Sequence, residues 1–213
     1  IQAAEIALAQ SAENTPKSIR LARNNLRERK IQPIHLSELA AALATFEADE
    51  GAAALAKRYF RQSLEDPTEN ALSQALWVRQ EMGIRLKIDD SKLETPRAFE
   101  ARTRAAITSK KWREALENCK KWAKDEPFSS RATIEGSFIA SSFAWSNEDA
   151  IALCNFGLIA NPNDETLLNN KAVALIRSGK LDEANTILLD MQKHSVEGAM
   201  EPFLPATTGL LHF

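Results

Sequence analysis

Small and apolar residues in the stretch 147–162 follow a pattern that returns on both sides of it. They recur at i, i+3, i+4, i+7 and i+8, which places them on one face of a helix that an Asn-Pro pair then ends. The residues of this face are Ala150, Leu153, Cys154, Gly157 and Leu158. The corresponding faces 35 residues earlier and 34 residues later are Ala115, Asn118, Cys119, Trp122 and Ala123, and Ala184, Ile187, Leu188 and Met191. A period of this size predicts a solenoid of stacked helical hairpins.

The same periodicity predicts helices along most of the chain. They cover about 1–13, 16–30, 35–48, 56–64, 70–82, 96–109, 111–125, 129–144, 147–160, 164–178 and 181–194. The helix over 16–30 should bury Ile19, Leu21, Ala22 and Leu26, and the one over 56–64 should bury Ala56, Tyr59, Phe60, Ser63 and Leu64. Residues 84–95 lack the length and the apolar face of a helix, so we expect an extended or single-turn link there.

The C-terminal residues begin one more repeat. They copy the face of the helix over 164–178 at an offset of 36 residues, with Leu204, Thr208 and Leu211 in the places of Leu168, Ala172 and Leu175. Because the second helix of this repeat is missing, we expect a fragment of a larger protein. The sequence suggests irregular hairpins over 1–95 and regular repeats over 96–213, joined in one continuous domain.

Composition favours an all-α fold. The 213 residues include only seven Gly and one Tyr, and no segment alternates apolar and polar residues long enough for a sheet. The formal net charge of -2 gives no electrostatic reason to expect a nucleic acid or a membrane as partner. No apolar run reaches the roughly 18 residues of a membrane span, so we expect a soluble protein.

The two cysteines bear on the cellular compartment. Cys119 and Cys154 occupy equivalent places in successive repeats, on faces expected to be buried. We expect free thiols, because the axes of neighbouring helices lie about 8–10 Å apart and usually keep Cα atoms too distant for a bridge. Free buried thiols favour a reducing, cytoplasmic location.

The residues of the best-formed repeats resemble the tetratricopeptide repeat. The resemblance rests on Leu168-x3-Ala172-x2-Leu175-x3-Gly179-x-Leu181-x2-Ala184-x3-Leu188-x2-Met191, with second halves in Trp112-x2-Ala115-x3-Cys119-x2-Trp122-x4-Pro127 and Ala150-x3-Cys154-x2-Gly157-x4-Pro162. It implies a right-handed α-solenoid without enzymatic activity or cofactor. In that family the first helix of each hairpin lines a concave groove that binds a peptide or a partner helix.

The resemblance also implies which residues line the groove. The candidates are Arg97, Glu100, Arg104, Glu135, Asn169 and Val173. The Lys/Asn/Arg clamp by which some members hold a C-terminal carboxylate is not evident, since Val173 stands where an asparagine would be expected. A protein or peptide partner is therefore the first functional hypothesis, without that particular ligand.

Residue patterns for catalysis or metal binding are lacking. His35, His194 and His212 are far apart in sequence and have no second metal ligand at suitable spacing. The acidic pairs that begin at Asp89 and Asp164 lie at predicted helix starts, where carboxylates cap helices. The four tryptophans are best explained as wedges between hairpins, with Trp145 as the exception because it lies at a turn.

Two other hypotheses remain. Arg20, Arg23, Arg27 and Lys30 form a basic stripe opposite the apolar face of their helix, and such a stripe can follow a phosphate backbone. The alternative is that this stripe pairs with the acidic band 31–56. The other hypothesis is a homodimer in which Leu210, Leu211 and Phe213 of the incomplete repeat complete the stack of a second copy.

Overall fold

The computed structural model describes residues 16–28, 33–194 and 203–211. Every regular element within these ranges is helical, which confirms the predicted all-α fold. The elements are α1 (Pro16–Glu28), α2 (Pro33–Asp49), α3 (Ala53–Ser63), α4 (Glu69–Glu81), a 3-10 helix (Asp90–Glu94), α5 (Phe99–Thr108), α6 (Trp112–Asp125), α7 (Arg131–Ser142), α8 (Asn147–Ala160), α9 (Glu165–Arg177), α10 (Leu181–His194) and α11 (Phe203–Leu211). The predicted helix over 1–13 lies outside the described residues.

The first of two compact units ends at Thr108 and is built around α2. Helices α1, α3 and α4 all pack on α2, and its residues from Leu39 to Ala44 are buried without a break. A helix that is apolar on all sides is a central core element rather than an amphipathic surface helix. Helix α3 presents the predicted face towards this core, with Ala56, Tyr59, Phe60 and Ser63 buried, whereas Leu64 is half-buried.

The buried face of α1 is narrower than predicted. Ile19, Ala22 and Leu26 are buried as expected, but Leu21 is 49% exposed. Helix α1 contacts the unit mainly through α2, so a single stripe of α1 is covered and Leu21 lies beside that stripe. The prediction that Leu21 is buried is therefore wrong.

The link after α4 combines the two predicted forms. Ile84, Leu86 and Ile88 pack against the core, whereas Arg85 and Lys87 between them are exposed. This alternation with a period of two is that of an extended chain. The 3-10 helix follows, and the Asp89 side chain accepts a hydrogen bond of 3.0 Å from the backbone N–H of Ser91 at its start.

The second unit begins at Ser109 and consists of helices that pack in succession. Each helix from α6 to α11 packs on the next, and α9 also packs on both α7 and α11. Helices α7, α9 and α11 are the first helices of the predicted hairpins. They therefore form one layer, which we call the first-helix wall.

Burial along this wall repeats every 35 residues. The matching buried pairs on α7 and α9 are Ala132 and Leu167, Ser137 and Ala172, Ile139 and Ala174, and Ala140 and Leu175. The same offset takes Ala172 to Thr207, which is 5% exposed, whereas Thr208 is only half-buried. Thr207 is therefore the equivalent of Ala172 in this repeat. The sequence, aligned with an offset of 36 residues, predicted Thr208 at that position.

Most residues of the predicted second-helix faces are buried, whereas Leu158 and Ile187 are half-buried. Helix α8 buries Ala150, Leu153, Cys154 and Gly157, and α6 buries Ala115, Asn118, Cys119, Trp122 and Ala123. The tight turn between α9 and α10 depends on Gly179, which has a φ of +74°. The N–H of Gly179 donates to Ile176 O and that of Lys180 donates to Leu175 O, both at 2.9 Å, which is a Schellman cap.

Cys119 and Cys154 are free and buried, as predicted. Burial raises the pKa of the Cys154 thiol from 9.0 to about 11, against a smaller opposing effect of the hydrogen bond with Ser137. A thiol of this kind is protonated at neutral pH and is a poor nucleophile.

This shift predicts a loss of stability at high pH. The unfolded chain releases the Cys154 proton first, so the stability from the neutral thiol is complete below about pH 9 and is lost as the pH rises towards 11. Between pH 8 and pH 10 we expect the free energy of unfolding to fall by about 1.3 kcal/mol more in the unchanged chain than in Cys154→Ala. Urea unfolding at both pH values measures this difference, and an equal loss in the two proteins would contradict it.

Candidate functional site

A cleft of about 360 Å³ lies on the first-helix wall between α7 and α9, and we call it the α7–α9 cleft. Its lining residues are Ile134, Ser137, Phe138, Ser141, Ser142, Thr166, Asn169, Asn170 and Val173. Two of the six predicted groove residues, Asn169 and Val173, are among them. The structure therefore brings part of the predicted groove together within one unit.

Hydrogen bonds between α7 and α9 fix the two helices relative to each other. Asn170 Nδ2 donates to Ser137 Oγ at 3.0 Å. Arg177 Nη1 donates to the backbone oxygen of Ser141 at 2.7 Å and to its Oγ at 2.9 Å, which satisfies a carbonyl at the end of α7. The cleft is thus formed before any ligand arrives.

Phe138 gives the cleft an aromatic wall that remains 49% exposed. Its ring meets Phe143 edge-on, with centroids 5.7 Å apart, and Phe143 stacks on Trp112 at 4.1 Å. Such contacts restrict the rotation of the exposed ring, so less conformational entropy is lost when a ligand binds. The offset of 35 residues, which pairs Phe138 with Val173, is the sequence signal that points to the cleft.

Asn169 at the rim of the cleft is held by α11. Its Oδ1 accepts a hydrogen bond of 2.8 Å from Thr207 Oγ1. Its Nδ2 has no partner among the described residues, so the amide presents a donor. None of the described residues that line the cleft carries a charge. The cleft therefore suits a neutral ligand that combines an apolar group with hydrogen-bond acceptors.

The other groove candidates lie elsewhere. Glu135 is on α7 but does not line the cleft. Arg97 lies in the turn before α5 at a φ of +59°, and α5 carries both Glu100 and Arg104. Arg104 Nη2 donates to Glu100 Oε1 at 2.8 Å, and the two side chains are only 15% and 12% exposed. These two charges therefore pair with each other.

The predicted basic stripe is partly used inside the first unit. Arg23 Nε donates to Glu47 Oε1 at 3.1 Å, and the Glu47 side chain is only 3% exposed. Arg20 and Arg27 are exposed, and Lys30 lies outside the described residues. Glu47 belongs to the acidic band 31–56, so this bond supports pairing of the stripe with that band.

Other polar residues also have structural roles. Asp164 caps α9, because its carboxylate accepts a hydrogen bond of 3.0 Å from the N–H of Leu167.

Trp122 is 3% exposed and wedged in the core, as expected, whereas Trp145 is 82% exposed. Of the predicted dimer contact, Leu211 packs within its own chain against the cluster of Ala172, Leu188 and Met191, and Leu210 is 40% exposed. Phe213 lies outside the described residues.

Among the described residues, no group of three or more His, Cys, Asp or Glu side chains is placed to hold a metal ion. Within the same ranges no helix is both long and apolar enough to cross a membrane. Comparison with models of known protein families gives no match, and neither does a search of curated proteins.

Proposed function

We propose that this chain is a non-catalytic protein-interaction module, built as a right-handed α-solenoid of hairpins like those of the tetratricopeptide repeat. Its first-helix wall binds a peptide or a partner helix from another protein. The observation that carries this proposal is the α7–α9 cleft, an uncharged and preformed depression on that wall. The role proposed is that of a scaffold or regulatory module, and the free buried thiols Cys119 and Cys154 favour the cytoplasm as its location.

The lining of the cleft defines the chemistry of the partner. Phe138 and Val173 provide apolar surface, and the amides of Asn169 and Asn170 and the nearby serine hydroxyls provide hydrogen bonds. A volume of about 360 Å³ accommodates one or two side chains. The partner thus inserts a neutral apolar side chain and pairs its backbone with the polar rim.

Replacing Phe138 by Ala tests this site. Aromatic anchors in preformed pockets are often hot spots, so we expect the dissociation constant to rise by roughly 10- to 100-fold. Peptides are first selected from a random library against the full chain, and their affinity for the variant is then measured by fluorescence anisotropy. The dissociation constant rises because the variant lacks the apolar contact with the ring of Phe138, which Phe143 holds in place in the unchanged chain.

Phe128→Ala is the matched control, because Phe128 is 85% exposed and does not line the cleft. Its affinity for the same peptides should stay unchanged. Circular dichroism melting checks that both variants fold. If no peptide is selected, or if Phe138→Ala binds as tightly as the control, the proposed site is wrong.

A further inference from the structure

The first unit contains a second cleft, of about 560 Å³, between α3 and the extended link. Its charged lining is predominantly positive. The cations are Lys57, Arg61, Arg85, Lys87 and Lys92, against the two carboxylates of Glu65 and Asp89. We call it the basic cleft. Its net positive charge distinguishes it from the uncharged α7–α9 cleft.

Most of these cations are available to a ligand. Lys92 Nζ donates to the backbone oxygen of Glu65 at 2.8 Å. The other four side chains are exposed and form no ion pair with any described residue. Charges of one sign that converge on a concave surface attract a ligand of the opposite sign.

The backbone of the link is also unpaired. Residues 84–88 make no backbone hydrogen bond within the described part of the chain. Consecutive residues from Arg85 to Asp89 border the basic cleft, so one edge of this extended backbone faces it. An extended chain with a free row of N–H and C=O groups is a template for a further strand.

The side chains of the link define what that strand should carry. Arg85 and Lys87 share the exposed side, whereas Leu86 and Ile88 lie on the side of the core. In a strand placed beside the link, every second residue faces the exposed side and the residues between them face the core side. Residues on the same side are about 6.6–6.8 Å apart along the strand. Acidic residues at every second position would then pair with Arg85 and Lys87, and the residues between them would meet apolar surface.

We propose that the basic cleft binds an extended acidic peptide, in which acidic and apolar residues alternate, as a β-strand added to residues 84–88. A peptide is favoured over a nucleic acid because only another peptide backbone matches the unpaired edge. The aromatic ring of the cleft, Phe60, is fully buried and offers no face on which a base could stack. This site shares no lining residue with the α7–α9 cleft and differs from it in charge.

A labelled octapeptide of alternating Glu and Val tests the charge requirement on the full chain by fluorescence anisotropy. It should bind at low ionic strength, and Arg85→Glu with Lys87→Glu should weaken it at least about tenfold. Arg20→Glu with Arg27→Glu is the matched control, because it reverses two exposed cations of α1 outside the cleft. The control should change the affinity less than about twofold.

Two N-methylated octapeptides test the backbone requirement without altering the protein. Each blocks the N–H groups of one edge, and for a given strand direction only one edge faces residues 84–88. One should therefore lose binding at least about tenfold while the other keeps it. The proposal is overturned if the octapeptide does not bind, if both methylated forms behave alike, or if an octathymidylate binds as tightly with the same loss on charge reversal.

Discussion

Replacing Gly157 by Ala is expected to lower the free energy of unfolding by about 3 kcal/mol. Gly157 lies on α8, where that helix packs on α7 and α9. A Cβ at this position would lie 2.3 Å from Thr133 Oγ1 and 2.7 Å from Leu167 Cδ1. Alanine stabilises a helix by roughly 1 kcal/mol relative to glycine. The steric overlap must therefore cost more than this before the measured free energy of unfolding falls. Urea unfolding followed by circular dichroism measures the change.

Gly209→Ala is the control for this substitution. Gly209 also lies in a helix, α11, but nothing lies within 4 Å of the Cβ it would acquire. Its stability should rise by up to about 1 kcal/mol. Adding Thr133→Ala to Gly157→Ala should recover part of the loss, because Thr133 supplies the nearest atom. A Gly157→Ala protein as stable as the unchanged chain would show that the helices are farther apart than described.

Replacing Arg23 by Ala is also expected to cost about 3 kcal/mol. The guanidinium of Arg23 is the hydrogen-bonding partner of Glu47, whose side chain is 3% exposed. Without Arg23 a carboxylate remains buried and unpaired, and such a loss costs about 3–5 kcal/mol in a fully buried pair. Because Arg23 itself is 45% exposed, water can reach the vacated side, and we expect the lower end of this range.

Arg20→Ala on the same helix serves as the control, since Arg20 is exposed and should contribute less than about 0.5 kcal/mol. Combining Arg23→Ala with Glu47→Leu should restore most of the stability, because no buried charge is then left unpaired. If Arg23→Ala and Arg20→Ala unfold at the same urea concentration, the Arg23–Glu47 pair is not a structural bond and the basic stripe is free for other partners.

The centre of a buried helix face could be predicted from the sequence because it depends on residue spacing within one helix, whereas the width of the face depends on the neighbouring helices, as exposed Leu21 shows. Ala150, Leu153, Cys154 and Gly157 are buried because residues three and four apart lie on one side of a helix. Which face of a helix meets its neighbour is less predictable, because the length and conformation of each loop determine how the next helix is rotated about its axis. Thr207 therefore replaces Thr208 in the repeat, and α5 begins at Phe99, which leaves Arg97 in a turn.

Both clefts depend on segments that are distant in sequence, and for this reason the sequence alone did not locate them. Phe138 looks like a packing residue until α9 is placed beside α7. The cations of the basic cleft are divided between α3 and the link, and the sequence alone does not show that these two segments lie side by side. The extended form of the link was predicted, whereas its unpaired backbone edge becomes apparent only when its neighbours are known.

The uncharged lining of the α7–α9 cleft has a kinetic consequence. Because the lining itself supplies no charge to steer a partner, we expect specific association at about 10⁵–10⁶ M⁻¹ s⁻¹ with little dependence on salt. At that rate, a partner bound with a micromolar dissociation constant would remain for about 1–10 seconds. Under the proposed function, exchange of partners on this wall is therefore controlled by how long each one stays bound, and the contacts of Phe138 would set that time.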